Sequence, residues 1–191
     1  NYRDIIAKIL SLWFFLLTLV GTVITLFSKE IMWILTPKPY WEAVGIFGFL
    51  VMGVVLQGTT QVTALGISFE KKTYLLSRIT WITAIINFSL NIVLIPFYGA
   101  LGASIATFIA YFALSAMYLY WTQKIHPFPI EKMKLLFSLI CIIISLMFSV
   151  LLNQLTWQAW YPLIKFIYIG LLIYLSFRFQ IVSINLIKNL R

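Results

Sequence analysis

Long apolar stretches, separated by short polar or charged segments, run through the whole of this chain. The first two are residues 9–27 and 43–69, and the second of them ends at a Glu-Lys-Lys cluster. A helix that crosses a bilayer needs roughly 20 mostly apolar residues. Both stretches are long enough, so we predict that each is a transmembrane helix.

The longest uncharged stretch, residues 79–123, contains no Asp, Glu, Lys or Arg. A single helix of this length would extend roughly 68 Å, which is about twice the hydrocarbon thickness of a bilayer. The chain must therefore turn back within it. We expect the turn at the Pro-Phe-Tyr-Gly sequence of residues 96–99, because proline ends a helix and glycine relaxes a turn. This predicts two helices, near residues 73–95 and 100–122.

The last two apolar stretches predict a fifth helix near residues 135–153 and a sixth near 162–179. In the sixth, only 12 residues are free of charge between Lys165 and Arg178. Such a helix can still cross if both long side chains extend outwards to the two membrane interfaces. We therefore predict an all-α integral membrane bundle of six transmembrane helices, forming a single lobe over residues 1–191.

Two segments outside these helices have a distinct pattern. Residues 29–42 mix apolar and charged residues around two prolines, which predicts a short interfacial helix and an elbow on the outer face of the membrane. The single histidine, His126, falls in a predicted cytoplasmic loop, where we interpret it as part of a linker.

The composition excludes a soluble fold. Hydrophobic residues make up 62% of the chain and charged residues 10%, against about 45–50% and about 25% in soluble proteins. The lone cysteine, Cys141, excludes an intramolecular disulfide framework. The net charge of +9 does not indicate a nucleic-acid partner, because the basic residues lie at the ends of apolar stretches. At those ends they can meet membrane lipids.

The basic residues also predict the orientation of the bundle. Three of them fall on one predicted side, and these are Lys29, Lys38 and Lys165. The eleven on the other side are Arg3, Lys8, Lys71, Lys72, Arg78, Lys124, Lys132, Lys134, Arg178, Lys188 and Arg191. The positive-inside rule assigns the richer side to the cytoplasm. We therefore expect a multi-pass protein with cytoplasmic N- and C-termini.

A family resemblance rests on two stretches. Residues 87–107, NFSLNIVLIPFYGALGASIAT, resemble the oligosaccharide flippases of polysaccharide and O-antigen synthesis, which share a superfamily with the multidrug and toxin extrusion (MATE) exporters. Residues 29–44, KEIMWILTPKPYWEAV, resemble the segment after the first helix of the C-terminal half of these proteins. The last two predicted helices match the family only in their hydropathy.

The resemblance implies a two-lobe, MATE-like transporter in which two six-helix lobes surround a central cavity. This chain would be the C-terminal lobe, and the N-terminal lobe of the same protein would precede Asn1. The implied function is the translocation of undecaprenyl-diphosphate-linked oligosaccharide across the bacterial inner membrane for polysaccharide biosynthesis. Membrane lipids and this lipid-linked oligosaccharide are the implied partners.

Polar residues within the apolar helices are the candidates for a substrate path. Gln57, Thr60 and Gln61 share one face of the second helix, and amides facing lipid would lack hydrogen-bond partners. The third helix adds a stripe with Thr83, Asn87 and Asn91, and a weaker stripe in the first has Thr18, Thr22 and Thr25. All of these residues could instead form interhelical hydrogen bonds. Arg78 could capture the diphosphate or extend to the cytoplasmic interface.

Small residues at the start of the fourth helix predict close packing. Gly99, Ala103 and Thr107 form one row, and Gly102 and Ala106 belong to another. Rows of this kind let two helix backbones approach closely in lipid. A direct contact with substrate is the alternative.

Missing residue types limit the possible chemistry. All five acidic residues lie at or beyond predicted helix ends, and these are Asp4, Glu30, Glu42, Glu70 and Glu131. A proton-coupled multidrug exporter relies on carboxylates within the membrane, so this alternative is weakened for this lobe. Paired carboxylates, a metal-ligand cluster and a Gly-rich loop are absent from the sequence, so we expect no enzyme, metal or cofactor. A membrane polysaccharide polymerase or ligase and a purely structural subunit stay as alternatives.

Overall fold

The structure, a computed structural model, describes residues 2–154 and 161–179. All regular secondary structure in these residues is helical, as the sequence predicts. The α-helices are α1 (Tyr2–Leu26), α2 (Ser28–Leu35), α3 (Val44–Gly58), α4 (Thr60–Thr63), α5 (Leu65–Phe69), α6 (Tyr74–Ile125), α7 (Lys132–Gln154) and α8 (Tyr161–Arg178). A 3₁₀-helix at Lys38–Ala43 connects α2 to α3.

Four helical segments of the described chain are long and apolar enough to cross a membrane. They are Tyr2–Leu26, Val44–Phe69, Tyr74–Ile125 and Lys132–Leu152. The second of these combines α3, α4 and α5, and α8 is not one of the four. The expectation of several membrane-spanning helices is therefore met by length and composition.

Helix α6 is a helical hairpin rather than a rod. Gly99 has φ 54° and ψ −134°, which interrupts the helix inside the segment where the sequence predicts a turn. The hydroxyl of Tyr118 donates to the carbonyl oxygen of Leu76 at 3.3 Å, and Gly102 packs directly against the carbonyl of Leu94. These contacts pair residues 74–98, the first half of α6, with residues 100–125, its second half, in antiparallel directions.

The turn comes later than the proline suggests. Pro96 lies within the helix, and helical geometry continues to Tyr98. Only the combination of dihedrals at Gly99 ends the first half, since residues with a side chain rarely adopt that region. The proline precedes the reversal, and the glycine makes it.

The other helices pack side by side with alternating directions. Gly21 of α1 packs against Val55 of α3, and Gly58 of α3 packs against Leu17, so α1 and α3 are antiparallel. Helix α7 runs parallel to α1, because the Thr22 hydroxyl lies 2.9 Å from that of Ser145 and, further along both helices, the Ser149 hydroxyl donates to Thr25 O. A buried apolar cluster joins α1, α3 and α7, with Phe14, Met52, Val55, Leu56, Ile142 and Leu146 as its members.

The bundle therefore has two ends, which we call the Tyr2 end and the Phe27 end after the limits of the first helix. At the Phe27 end lie Lys29, Lys38 and Lys165. The described basic residues at or near the Tyr2 end are Arg3, Lys8, Lys71, Lys72, Arg78, Lys124, Lys132, Lys134 and Arg178. Lys188 and Arg191 fall outside the described residues. The helix directions thus separate the basic residues as the orientation argument requires.

Lys165 forms an ion pair with a residue of the segment that follows the first helix. Its side chain is buried, with the residue 4% exposed, and its Nζ lies 2.5 Å from Oε1 of Glu30. Its ammonium also lies 5.0 Å from the ring centroid of Phe27. A carboxylate partner and an aromatic ring stabilise the charge at the Phe27 end, and the position of Lys165 at the membrane interface stays a prediction.

Residues 29–42 form a short helix followed by an elbow. Helix α2 ends at Leu35, and the 3₁₀-helix begins after Pro37. The Trp33 and Trp41 rings contact each other across this bend, with centroids 5.3 Å apart. The indole N–H of Trp41 donates to the carbonyl oxygen of Thr36 at 3.1 Å. The elbow is therefore a structured element, and its position at a membrane interface stays a prediction.

The surface of the bundle is strongly apolar, above all on the first half of α6. Trp81 is 71% exposed and Phe97 is 79% exposed there. A soluble protein rarely leaves such a continuous apolar face uncovered. Hydrocarbon is a solvent that accepts it.

Candidate functional site

The second candidate spanning segment is tightened near its middle, at a point we call the break, although Thr59 and Ala64 keep right-handed helical dihedrals. Its 26 residues divide after Gly58, the last residue of α3, and again at Ala64. At the first break the backbone N–H of Thr59 donates to Leu56 O at 3.2 Å, and that of Val62 donates to Thr59 O at 3.1 Å. These are i to i−3 bonds, which tighten the helix locally. A mid-helix turn of this kind often marks a functional hinge.

The sequence Gly-Thr-Thr explains why the helix tightens there. Glycine has a low helix propensity, and threonine hydroxyls compete for backbone carbonyls. The Thr59 hydroxyl donates to Leu56 O at 2.7 Å, and the Thr60 hydroxyl donates to Gln57 O at 2.6 Å. The side chains thus satisfy carbonyls where the regular ladder is disturbed.

A tryptophan from α1 completes the break. The indole N–H of Trp13 donates to the carbonyl oxygen of Gly58 at 3.0 Å. Leu17, one turn further along α1, packs against Gly58 so closely that a Cβ there would collide with it. The two helices are therefore joined at the level of the break by a hydrogen bond and a close contact.

The two candidate glutamines flank this break on the surface of the bundle. Gln57 and Gln61 are both exposed, and neither side-chain amide has a hydrogen-bond partner within residues 2–154 and 161–179. Their face is bounded on one side by α1, through Gly58, and on the other by the second half of α6, which packs against Gly53. The interhelical bonding that the sequence leaves open is thus not made within the described residues.

An apolar recess lies near the glutamines, on their Phe27 side. It has a volume of about 280 Å³ and lies between α1 and α3, with Leu17, Val20, Gly21, Ile24, Leu50, Val51, Val54 and Val55 as its lining. Val54 lies one helical turn from Gln57, so the recess and the two amides lie along the same contact between α1 and α3. We call this contact the seam. The seam is apolar towards one end and polar at its middle.

Threonine 60 is separated from the two glutamines. Its side chain is buried, whereas theirs are exposed. Its neighbour Thr59 contacts the hydroxyl of Ser115 on the second half of α6 at 2.5 Å. Thr59 therefore connects two helices, whereas the Thr60 hydroxyl bonds within its own spanning segment.

The candidates on the first half of α6 do not meet the glutamines. Thr83 is buried, and its hydroxyl donates to Ile79 O at 2.9 Å. The amide of Asn91 donates to Oδ1 of Asn87 at 3.0 Å, while its own Oδ1 is buried without a partner in the described chain. These side chains lie within the α6 hairpin, and the structure records no contact between them and Gln57 or Gln61.

Arg78 lies apart from both groups. It is exposed on the first turns of α6 at the Tyr2 end, with its guanidinium 5.3 Å from the ring centroid of Tyr74. A cation–aromatic contact of this kind is modest at an exposed site, about 0.5–1 kcal/mol. The guanidinium stays accessible at the end of the hairpin rather than at the broken helix.

The small residues after the turn have different surroundings. Gly102 and Ala106 are buried, and Gly102 sits against the backbone of the first half. Ala103 and Thr107 are half-buried, and the Thr107 hydroxyl donates to Ala103 O at 2.9 Å. Gly99 is exposed, with no atom within 4 Å of a Cβ built there. Its place in the structure is the turn itself.

The threonine stripe of α1 faces its neighbour α7. Thr18, Thr22 and Thr25 are all buried. The Ser149 hydroxyl donates to Thr25 O at 3.3 Å, beside the bond between Thr22 and Ser145. In this structure the stripe therefore belongs to the contact between α1 and α7.

His126 is more than a linker. Its Nδ1 lies 3.0 Å from Oε1 of Glu70, and its Nε2 lies 3.1 Å from the Tyr2 hydroxyl. The ring is buried between the start of α1, the end of α5 and the end of α6. His126 thus lies in the predicted linker and joins it to two other segments of the bundle. No local pattern could have indicated a bond between residues 124 positions apart.

Comparison with known proteins adds no relative. No family model matches the chain, and no curated protein or solved structure does either.

Proposed function

We propose that this chain is one six-helix lobe of a membrane transporter, and that the seam between α1 and α3 lines its substrate path. The observation that carries the proposal is the pair of exposed mid-helix amides, Gln57 and Gln61, beside a break in their helix. Hydrogen bonds between helices of this chain do not account for the two exposed amides, because neither amide has a partner in the described residues.

The two amides need solvation or a polar partner at their depth in the membrane. The centre of a bilayer holds no water, and an unsatisfied polar group there costs several kcal/mol. Each glutamine amide carries one acceptor oxygen and two donor hydrogens. The amides therefore need a hydrated groove or a polar partner from outside the lobe. In transporters, broken helices near the midplane commonly form the substrate site at the interface between repeats.

Six spans follow if the hairpin is counted as two. The two halves of α6 and the 18-residue α8 then join α1, α3–α5 and α7. An even number puts both ends of the chain on one side. The described basic residues cluster on that side, which favours cytoplasmic termini under the positive-inside rule.

The proposed substrate is a lipid-linked oligosaccharide, moved across the bacterial inner membrane with the help of a second lobe. The resemblance of residues 29–107 to oligosaccharide flippases suggests the class. The seam also suits an amphipathic substrate, since it offers an apolar recess beside two neutral amides. Arg78, at the cytoplasmic end in this orientation, would then be the residue available to the diphosphate.

The double variant Gln57→Leu with Gln61→Leu tests the proposal in the full-length protein in its own cells. The change preserves approximate side-chain size and removes both amides. We expect loss of surface polysaccharide at a normal level of protein in the membrane. The matched control is Gln123→Leu near the Tyr2 end of α6, which should export normally. Normal export by the double variant would assign the chain to a structural subunit instead.

A multidrug exporter lobe predicts another pattern. Drug resistance, rather than surface polysaccharide, would fall in the double variant, and carboxylates in the other lobe would be required. A polymerase or ligase would accumulate substrate already facing the outer side of the membrane. Measuring which leaflet holds the lipid-linked oligosaccharide separates that class from a transporter.

A further inference from the structure

Trp13 occupies an unusual place for a membrane tryptophan. Tryptophans concentrate at the two membrane interfaces, yet this one lies near the middle of the 25-residue α1. Its indole N–H is already bonded to Gly58 O, and the residue is still 40% exposed. The hydrogen bond holds one edge of the ring at the break and leaves ring surface open beside it.

The open indole is next to the two free amides. Gly58, which accepts its hydrogen bond, directly follows Gln57 and precedes Gln61 by less than one helical turn. The three side chains therefore present an aromatic surface and two neutral carboxamides on one part of the seam. All three are exposed.

No charged residue accompanies them. Residues 9–28 of the first helical region and 43–69 of the second contain no Asp, Glu, Lys or Arg. A phosphate would require cationic donors, and a cationic drug would favour a carboxylate. The site thus suits a neutral ligand with both apolar and hydrogen-bonding surface.

We infer that Trp13, Gln57 and Gln61 form a sugar-binding platform, on which a pyranose ring of the substrate stacks against the indole. A sugar ring has a face of C–H groups, which packs on an aromatic ring, and a rim of hydroxyls. Carboxamides both donate to and accept from such hydroxyls. The inference rests on the proposed function and specifies which part of the substrate the seam recognises.

The experiment uses the full-length protein in lipid nanodiscs and two probes. One is undecaprenyl diphosphate carrying a single N-acetylglucosamine, and the other is undecaprenyl diphosphate without sugar. The quantity measured is the ratio of the two dissociation constants. We expect the wild type to bind the sugar-bearing probe about five- to tenfold more tightly, the size expected of one aromatic contact.

Four variants test which residues produce the preference for the sugar-bearing probe. Trp13→Leu removes the ring and should bring the ratio to about one. Trp13→Phe keeps a ring face but loses the N–H, and should retain most of the preference. Trp81→Leu, a change at an exposed tryptophan on α6, is the matched control and should leave the ratio as in the wild type. Gln61→Ala should lower it, and this variant tests the platform even if Trp13→Leu fails to fold.

The outcomes separate the two proposals. If the wild type binds neither probe, the flippase proposal fails. If it binds both, and Trp13→Leu and Gln61→Ala leave the ratio unchanged, only the platform is overturned. Equal loss in Trp13→Leu and Trp13→Phe would mean that the bond to Gly58, not the ring face, matters, and would also overturn the platform.

Discussion

The ion pair between Lys165 and Glu30 offers a sharp test of the packing at the Phe27 end. The two side chains are only 5% and 23% exposed. Removing one member of a buried pair leaves the other charge uncompensated, which typically costs about 3–5 kcal/mol. Glu30 keeps some access to solvent, so Lys165→Met should cost about 3 kcal/mol, the lower limit of that range.

The reverse change should cost more. Glu30→Gln leaves the nearly inaccessible ammonium of Lys165 with the Phe27 ring as its nearest stabilising group, and such a contact returns only about 0.5–2 kcal/mol. We expect a loss of about 4 kcal/mol for this variant. The double variant, with both charges removed, should lie within about 1 kcal/mol of the wild type.

Thermal unfolding of the detergent-solubilised protein measures these differences. For a domain of this size, about 1 kcal/mol corresponds to roughly 2–4 °C in Tm, so Lys165→Met should unfold roughly 6–12 °C below the wild type. Lys132→Met, at an exposed lysine on α7 with no ion pair in the described residues, is the control and should cost at most about 0.5 kcal/mol. Single variants that unfold within 2 °C of the wild type, or a double variant whose loss equals the sum of the two, would refute the reasoning.

Two further predictions concern the α6 hairpin and the orientation. Gly99→Ala should lower stability by about 1–3 kcal/mol, because φ 54° with ψ −134° is strained for any side chain. Gly170→Ala, at a helical glycine with the same open surroundings, is the control and should be neutral or slightly stabilising. Equal Tm values for the two variants would contradict the turn assignment. Reporter fusions at Lys72 and Lys134 should be active in the cytoplasm and a fusion at Tyr98 in the periplasm, whereas Tyr98 and Lys72 reporting from the same side would exclude the hairpin as two spans.

The break in the second spanning segment shows how much of the candidate site the local sequence indicates. Polar residues at Gln57, Thr60 and Gln61 indicate one helical face, and the Gly-Thr-Thr sequence between them favours a disturbed helix. Their separation into exposed amides and a buried hydroxyl depends on where α1 and α6 pack. Trp13 gave no signal at all, because its partner is a backbone carbonyl on another helix, 45 residues away.

The contacts of Lys165 and His126 show what the local sequence does not indicate. Their immediate neighbours in the chain predict a side chain near the interface and a linker residue, and give no sign of an ion-pair or hydrogen-bond partner. Their partners, Glu30 and Glu70, are 135 and 56 residues away. The buried charge and the buried ring are each stabilised by a carboxylate that is distant in the chain. Hydropathy carries no information about such tertiary contacts.

The amino-acid sequence alone determined the all-helical character, the apolar spans and the reversal near residue 99, since each follows from hydropathy, helix rise and the dihedral freedom of glycine. It also determined how the basic residues divide between the two ends. Only the tertiary structure decided which polar residues have partners within the described helices and which are left exposed. Hydrogen bonds between helices depend on the rotation of each helix about its own axis, and packing against neighbours sets that rotation.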